Sequence, residues 1–301
     1  MVKRYSDLYL DARRALLPSY GQEQAGFVAR QLLCAASGKS QEAILANRDK
    51  FAGESVCDTM ESWTLRAVAG EPLAYILGQW EFYGMTLEVN SHVLIPRDDT
   101  MAVAELAVRQ TLMLEHDPRV LDLCTGSGCI GLAIANQVKD VRVTLADISR
   151  EALAVAKKNT VAHKLTGRVS CVQMDVTQTA SAFLGQFDLI VSNPPYVTSA
   201  EMLELEPSVR NFEPSLALDG GADGLDFYRD IVKNFKDSLK PGGFFCFEFG
   251  MGQGCDVCNI LEKAGFQILE VKKDYSEIDR AVLAQKIREE EMHRGEQENS
   301  L

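Results

Sequence analysis

From about residue 118 to 285, seven short apolar runs alternate with stretches of helical periodicity. The strand-like runs fall at 120–123, 141–147, 169–175, 187–193 and 244–250, with two more near 266–272 and 280–285. Helix-like stretches fall at 129–138, 150–163, 225–239 and 253–264. Runs this uniformly apolar belong to strands buried on both faces, and strands joined through helices run mostly parallel. The expectation is an α/β domain with a doubly wound, mostly parallel seven-stranded sheet. Ligands in such sheets bind outside the carboxyl ends of the strands. Chemistry is therefore to be sought just after each strand.

The first 75 residues have another texture. Apolar residues recur at helical spacing near 5–17, 23–36, 40–47 and 55–69, with breaks at Ser37, Gly38 and Gly53. This predicts a small all-helical N-terminal domain, a recognition or packing module without a chemical motif. Two aromatic and β-branched runs around Gly84 then predict a β-hairpin linker over 76–97, followed by a helix near 99–114. The sheet domain spans 98–286, and 287–301 reads as a polar, Glu-rich tail frayed from the fold.

A formal net charge of −12 excludes an unaided non-specific grip on DNA or anionic membrane, while leaving a local basic patch open. No apolar run approaches the ~20 residues of a membrane span, and the first residues lack a signal peptide's apolar stretch. Eight cysteines scattered through such a chain read as reduced thiols in a cytoplasmic setting. Cys255 and Cys258 have CxxC spacing, but no second pair completes a zinc site, so no metal is expected.

Three constellations carry the chemistry. Asp122-Leu-Cys-Thr-Gly-Ser-Gly128 follows the first parallel strand and opens a helix, where glycines admit a close ligand and free N–H groups face it. Gly126, Gly128 and Gly131 also match a dinucleotide-binding spacing, and a plain packing turn remains the simpler alternative. Asp147 ends the next strand, where a carboxylate can accept both hydroxyls of a ribose. It could equally be the acid that precedes a helix capped by Ser149. Asn193-Pro-Pro-Tyr196 follows the fourth strand. The side-chain oxygen of Asn193 and the carbonyl of Pro194 can form two converging acceptors for a planar –NH2 group, with Tyr196 as a flat wall.

Together these residues resemble class I S-adenosylmethionine-dependent methyltransferases acting on a planar amino or amide nitrogen. The flanks narrow the resemblance to the protein-(glutamine-N5) methyltransferases that modify peptide chain release factors. They are Leu94-Ile-Pro-Arg-Asp-Asp-Thr100, the segment from Val209 to Tyr228, and Asp274-Tyr275 with Asp279-Arg280. Cys124 stands where that family usually has glycine, and Asp98 where it usually has proline. The resemblance implies a Rossmann-like class I fold and a cofactor lying across Cys124, Thr125, Gly126, Ser127 and Gly128. It implies Asp147 on the ribose, Val176 beside the adenine, and Asn193 touching both cofactor and substrate. Asn193, Pro194, Pro195 and Tyr196 would bind the substrate amide, with Asn193, Pro194 and Tyr196 as the catalytic set. The implied substrate is the glutamine of a release factor's Gly-Gly-Gln motif, with the N-terminal helices binding the factor's body. No membrane and no direct nucleic-acid partner is expected.

Other readings compete. One is an RNA or DNA amino-methyltransferase with the same Asn-Pro-Pro-Tyr geometry, and another a glutamine methyltransferase of a ribosomal protein. A catalytically silent cofactor-binding subunit has no need of an intact Asn-Pro-Pro-Tyr loop, and a dehydrogenase leaves it unexplained.

Overall fold

The computed structural model describes residues 2–287. Among these, the chain divides into two compact units. One holds the chain through Gln79 together with Glu206–Phe212, and the other holds Trp80–Leu205 and the chain from Glu213 onward. The tail expected over 287–301 lies, apart from Ile287, outside the described residues.

The first unit is helical. Helix α1 spans Tyr5–Ser37 and bends at Gly21, whose φ of 70° and ψ of 177° leave the helical region three residues after Pro18. The two periodic segments of the sequence lie on either side of this kink, as expected. Helix α2 (Gln41–Ala46) is capped by Ser40, which accepts the N–H of Ala43. Helix α3 spans Glu54–Val68, and a short α4 (Leu73–Leu77) follows Pro72 and stops at Gly78. The sequence signals missed α4, which is too short to show a period. Leu16, Leu32, Leu33, Met60 and Ala67 are sealed in this unit's own core.

Strands β1 (Gln79–Phe82) and β2 (Met85–Glu88) make the expected hairpin, and helix α5 spans Met101–Leu112. Tyr83 and Gly84 both take positive φ, which matches the twist of a tight two-residue turn. The alternating region then runs β3 (Arg119–Leu123), α6 (Cys129–Gln137), β4 (Arg142–Asp147), α7 (Arg150–Ala162), β5 (Val169–Gln173) and β6 (Phe187–Ser192). Helix α8 (Pro207–Phe212) groups with the first unit. Helix α9 (Asp226–Phe235), β7 (Leu239–Glu248), α10 (Gly254–Lys263), β8 (Phe266–Lys273) and β9 (Asp279–Lys286) complete the chain.

The seven strands lie in the order β5-β4-β3-β6-β7-β9-β8. All neighbours from β5 to β7 are parallel, while β9 runs antiparallel between β7 and β8. Strand residues alternate between two cores. Leu189, Val191 and Cys246 pack on the face of α5 and α6, whereas Ile190, Phe245 and Phe247 pack on the face of α9 and α10. Two structural boundaries differ from expectation. Helix α9 ends at Phe235 and β7 begins at Leu239, running through Pro241-Gly-Gly, with a register shift between Phe187 and Leu189 on its partner. A bulge of this kind lets a strand carry proline without breaking its pairing.

Strand order reverses between β3 and β6, and that reversal opens a crevice at the carboxyl ends. Close seating of α6 shapes its floor. A methyl group at Gly131 would collide with Leu145 and lie 2.9 Å from Asp122 Oδ2. Gly131→Ala is therefore expected to destabilise the fold by about 1–3 kcal/mol through overpacking, although alanine ordinarily stabilises a helix interior. A denaturant midpoint equal to or above that of the parent protein would show that α6 can back away.

Candidate active site

A cavity of about 310 Å³ lies at those carboxyl ends. Its walls come from the segments following β3, β4, β5 and β6, together with residues between His92 and Thr100, the stretch Pro214–Ala217, and Phe227.

The glycine turn forms one side. Cys124, Gly126 and Gly128 take φ of 56°, 54° and 85°, curling the backbone within five residues. Thr125 donates its N–H to Ala146 and Gly128 donates to Thr125. Asp122 ties the turn down from beneath. Its Oδ2 accepts the Thr125 hydroxyl at 2.6 Å and the Gly131 N–H at 2.9 Å. Burial pushes this carboxyl up to about 7. Cys124 sits in the left-handed region that glycine enters freely and an L-residue enters at a cost of roughly 1–2 kcal/mol. Burial and the nearby Asp147 raise its thiol, so it stays protonated and is no nucleophile.

Asp147 fills the second of the two roles that its position allowed. Its Oδ2 accepts the Gly126 N–H and its Oδ1 the Ser149 N–H, each at 2.9 Å. The carboxylate thus clamps the glycine turn to the start of α7. Each oxygen keeps a further lone pair with which to accept a hydroxyl. Burial raises its carboxyl above the ordinary value. Beyond β5, Val176 is buried at the cavity wall, with its carbonyl held by Asn234 at 3.0 Å.

Opposite lies the Asn-Pro-Pro-Tyr loop. Asn193 and Pro195 line the cavity, whereas Pro194 and Tyr196 are not among its lining residues. Asn193 Nδ2 donates to Thr100 Oγ1 at 3.4 Å, which commits the nitrogen end of the amide and leaves Oδ1 as the acceptor. The Tyr196 hydroxyl donates to Glu248 at 3.4 Å, and its carbonyl accepts from Gln253 at 3.0 Å. Its ring is thus anchored by its far end, away from the cavity lining. Gly220 supports the loop from behind. An added methyl there would lie 2.7 Å from the Pro195 carbonyl oxygen.

Several supporting residues were given no role by the sequence, although Thr100 and Glu213 lie in the flanking segments that carry the family resemblance. Thr100, Glu213 and Asn159 act across long sequence separations. Glu213 accepts the Ile95 N–H and the Arg97 guanidinium, fixing the segment that carries Thr100. Asn159 joins the backbone of Glu88 on the hairpin to the Ser127 carbonyl. His92 lines the cavity although no motif surrounds it. Among the described residues, no group of three or more His, Cys, Asp or Glu is placed to hold a metal ion.

The site fits an adenosyl cofactor on its own geometry. The curled turn has the open approach such a ligand needs. Asp147 retains acceptor capacity, and the Ser127 hydroxyl at the cavity wall is buried with no hydrogen-bond partner among the described residues.

Known proteins bear this out at the level of family. A family model described as the methyltransferase small domain matches residues 101–206, and one described as the PrmC N-terminal domain matches residues 9–78. The chain is 44% identical over 213 residues to a release factor glutamine methyltransferase of Clostridium acetobutylicum, covering 71% of this chain and 74% of the relative. It is 39% identical to one from Geobacter sulfurreducens, covering 91% and 94% of the two chains. A third, from Bradyrhizobium diazoefficiens, is 37% identical, with 95% and 99% covered. The crystal structure of the hMettl16 catalytic domain in complex with MAT2A 3′UTR hairpin 6 shares the fold, at a TM-score of 0.55 and 14% identity, over 80% of this chain and 86% of that one. The sheet is that of the class I methyltransferases, which use S-adenosylmethionine. Sequence likeness that runs nearly the full length of relatives bearing a single name makes the chain a member of the release factor glutamine methyltransferase family.

Proposed function

We propose that the protein transfers the methyl group of S-adenosylmethionine to the N5 amide nitrogen of the glutamine in the Gly-Gly-Gln motif of peptide chain release factors. The observation that carries this reading is the amide of Asn193, whose nitrogen is tied to Thr100 while the residue lines the same cavity as the glycine turn.

The bound cofactor supplies an electrophilic methyl on a sulfonium. The protein's residues must make a poor nucleophile attack it. A glutamine amide nitrogen delocalises its lone pair into its carbonyl. Asn193 Oδ1 and the Pro194 carbonyl each accept one N–H of that nitrogen, which raises its electron density and aims it. Catalysis is then positioning and electrostatics, with no covalent enzyme intermediate. The nitrogen becomes strongly acidic once methylated, so its proton leaves to water without a dedicated base. Asp147 would hold the ribose, Val176 would flank the adenine, and the turn from Cys124 to Gly128 would hold the rest of the cofactor. Tyr196 anchors the loop through Glu248. The helical unit binds the body of the release factor, and the reaction takes place in the cytoplasm. Among the described residues, no helix is long and apolar enough to cross a membrane.

Purified protein incubated with methyl-labelled cofactor and intact release factor should place one methyl group on that glutamine, located by mass spectrometry of the peptide. A factor with alanine in its place should stay unlabelled. Label on RNA or on a ribosomal protein, with none on the release factor, overturns the assignment.

A further inference from the structure

The Asn-Pro-Pro-Tyr loop is gripped at its far end by a side chain that the chemistry above does not use. Gln253 stands immediately before α10, and its backbone carbonyl accepts the Val257 N–H at 3.0 Å. Val257 is sealed in the core on that face of the sheet, so the helix sets the position of Gln253. The half-buried side chain reaches two loops at once. Its Oε1 accepts the Gly250 N–H at 2.9 Å, in the turn between β7 and α10, and its Nε2 donates to the Tyr196 carbonyl at 3.0 Å. A backbone N–H only donates and a carbonyl only accepts, so the two ends of this amide have a single assignment. Two glycines leave room for the contact. A methyl group at Gly224 would collide with the Tyr196 carbonyl and lie 2.5 Å from Gln253 Nε2. One at Gly250 would lie 2.9 Å from Gln253 Oε1 and 3.0 Å from Tyr196 Cδ2.

We infer that Gln253 is a positioning residue for the transfer: by holding the Tyr196 carbonyl to the start of α10, it fixes the direction of the Pro194 carbonyl, the second acceptor for the substrate nitrogen. The inference rests on the two-acceptor mechanism proposed above.

The two acceptors are held in different ways. Asn193 Oδ1 belongs to a side chain that Thr100 ties by its other end. The Pro194 oxygen belongs to the backbone, and among the described residues no backbone N–H donates to it. Its direction is therefore set by the chain on either side. The rings of Pro194 and Pro195 fix both φ angles, and the second proline also restricts the ψ of the first. The pair moves as a short stiff rod, and a rod is aimed by its two ends. The upstream end is fixed in the sheet, where the fully buried Ser192 donates its hydroxyl to the Leu123 carbonyl at 2.7 Å. Downstream, Val197 pairs with Leu218 and Gly220, in a segment outside the sheet. The Tyr196 hydroxyl is held only at the tip of the ring, which leaves the backbone free to turn about the side-chain bonds. The Gln253 bond acts on the backbone itself, at the residue directly after the rod, and joins it to α10. Loss of that bond lets the Pro194 carbonyl swing, and a misaimed acceptor costs rate through orientation.

Gln253→Met keeps the length of the side chain and loses both hydrogen bonds. It should lower kcat about tenfold, equivalent to about 1.4 kcal/mol of barrier, with cofactor Kd and release-factor KM held within a few-fold. Gln253→Glu separates the two bonds. It keeps an acceptor for Gly250 but sets an oxygen against the Tyr196 carbonyl in place of the donor, so it should lose at least as much as Gln253→Met. The loss should be equal on a short Gly-Gly-Gln peptide and on intact release factor, because it arises at the reacting amide and not at the factor's body. A merely structural role would instead move cofactor affinity and melting temperature together with turnover. Wild-type kcat in Gln253→Met, Gln253→Glu as fast as the parent, or cofactor affinity that falls in parallel with kcat would each overturn the inference. Should Gln253→Met fail to fold, Gln253→Glu decides, since it retains the Gly250 bond. Normal turnover by Asn193→Ala removes the two-acceptor mechanism and this inference with it. A dead Asn193→Ala beside normal Gln253 variants removes only the role of Gln253.

Discussion

Asn193→Ala should leave the fold intact and lower turnover on intact release factor by about 10²–10³-fold, the usual effect of deleting one positioned hydrogen-bonding group at a reacting centre. The size follows from what the oxygen does. It meets an N–H whose nitrogen gains nucleophilicity only while the bond is made, so its loss raises the barrier more than it weakens binding. The loss should accordingly appear in kcat, with a smaller change in KM. The residue lines the cavity, and among the described residues its side chain is tied by its hydrogen bond to Thr100, so its truncation leaves the core untouched. A variant that turns over within a few-fold of the parent at saturating substrates would refute the two-acceptor mechanism.

Asp147→Ala should weaken S-adenosylmethionine binding at least about tenfold, since a charge-assisted hydrogen bond contributes about 1.5–3 kcal/mol. The structure adds a second reason for a large effect. The same carboxylate oxygens hold the N–H groups of Gly126 and Ser149, so alanine also releases the glycine turn from α7. Two donors left without their acceptor should lower the melting temperature of the cofactor-free protein as well. Asp147→Asn, which keeps one carbonyl acceptor, should fall between the two in calorimetric affinity. Unchanged affinity in the alanine variant would remove Asp147 from the cofactor site.

Sequence alone determined the elements whose cause is local. The seven strands, the helices between them and the hairpin follow from period, β-branching and turn residues within windows of a dozen positions. Cys124–Ser127, Asp147, Val176, Asn193 and Pro195 stand beside one cavity because each lies at or just after the end of a parallel strand, and parallel strands end on one side; Gly128, although in the same turn, is not among the lining residues. The question of whether Asp147 faces a ligand or begins a helix was undecidable in sequence, since both uses need a carboxylate after a strand. Its two backbone bonds show that it does the second while remaining able to do the first. Tertiary structure alone decided what holds these groups. Thr100 meets Asn193 across 93 residues, and Glu213 meets Ile95 across 118. Position β9, between β7 and β8, and the grouping of α8 with the helical unit are likewise invisible locally. Pro194 and Tyr196 stand in the same motif as Asn193, yet neither is among the cavity's lining residues, because the tyrosine hydroxyl is held by a glutamate 52 residues further on. Periodicity and turn chemistry act on neighbours in the chain. Orientation of a side chain is set by whatever the finished fold brings against it, and that partner leaves no mark in the residues beside it.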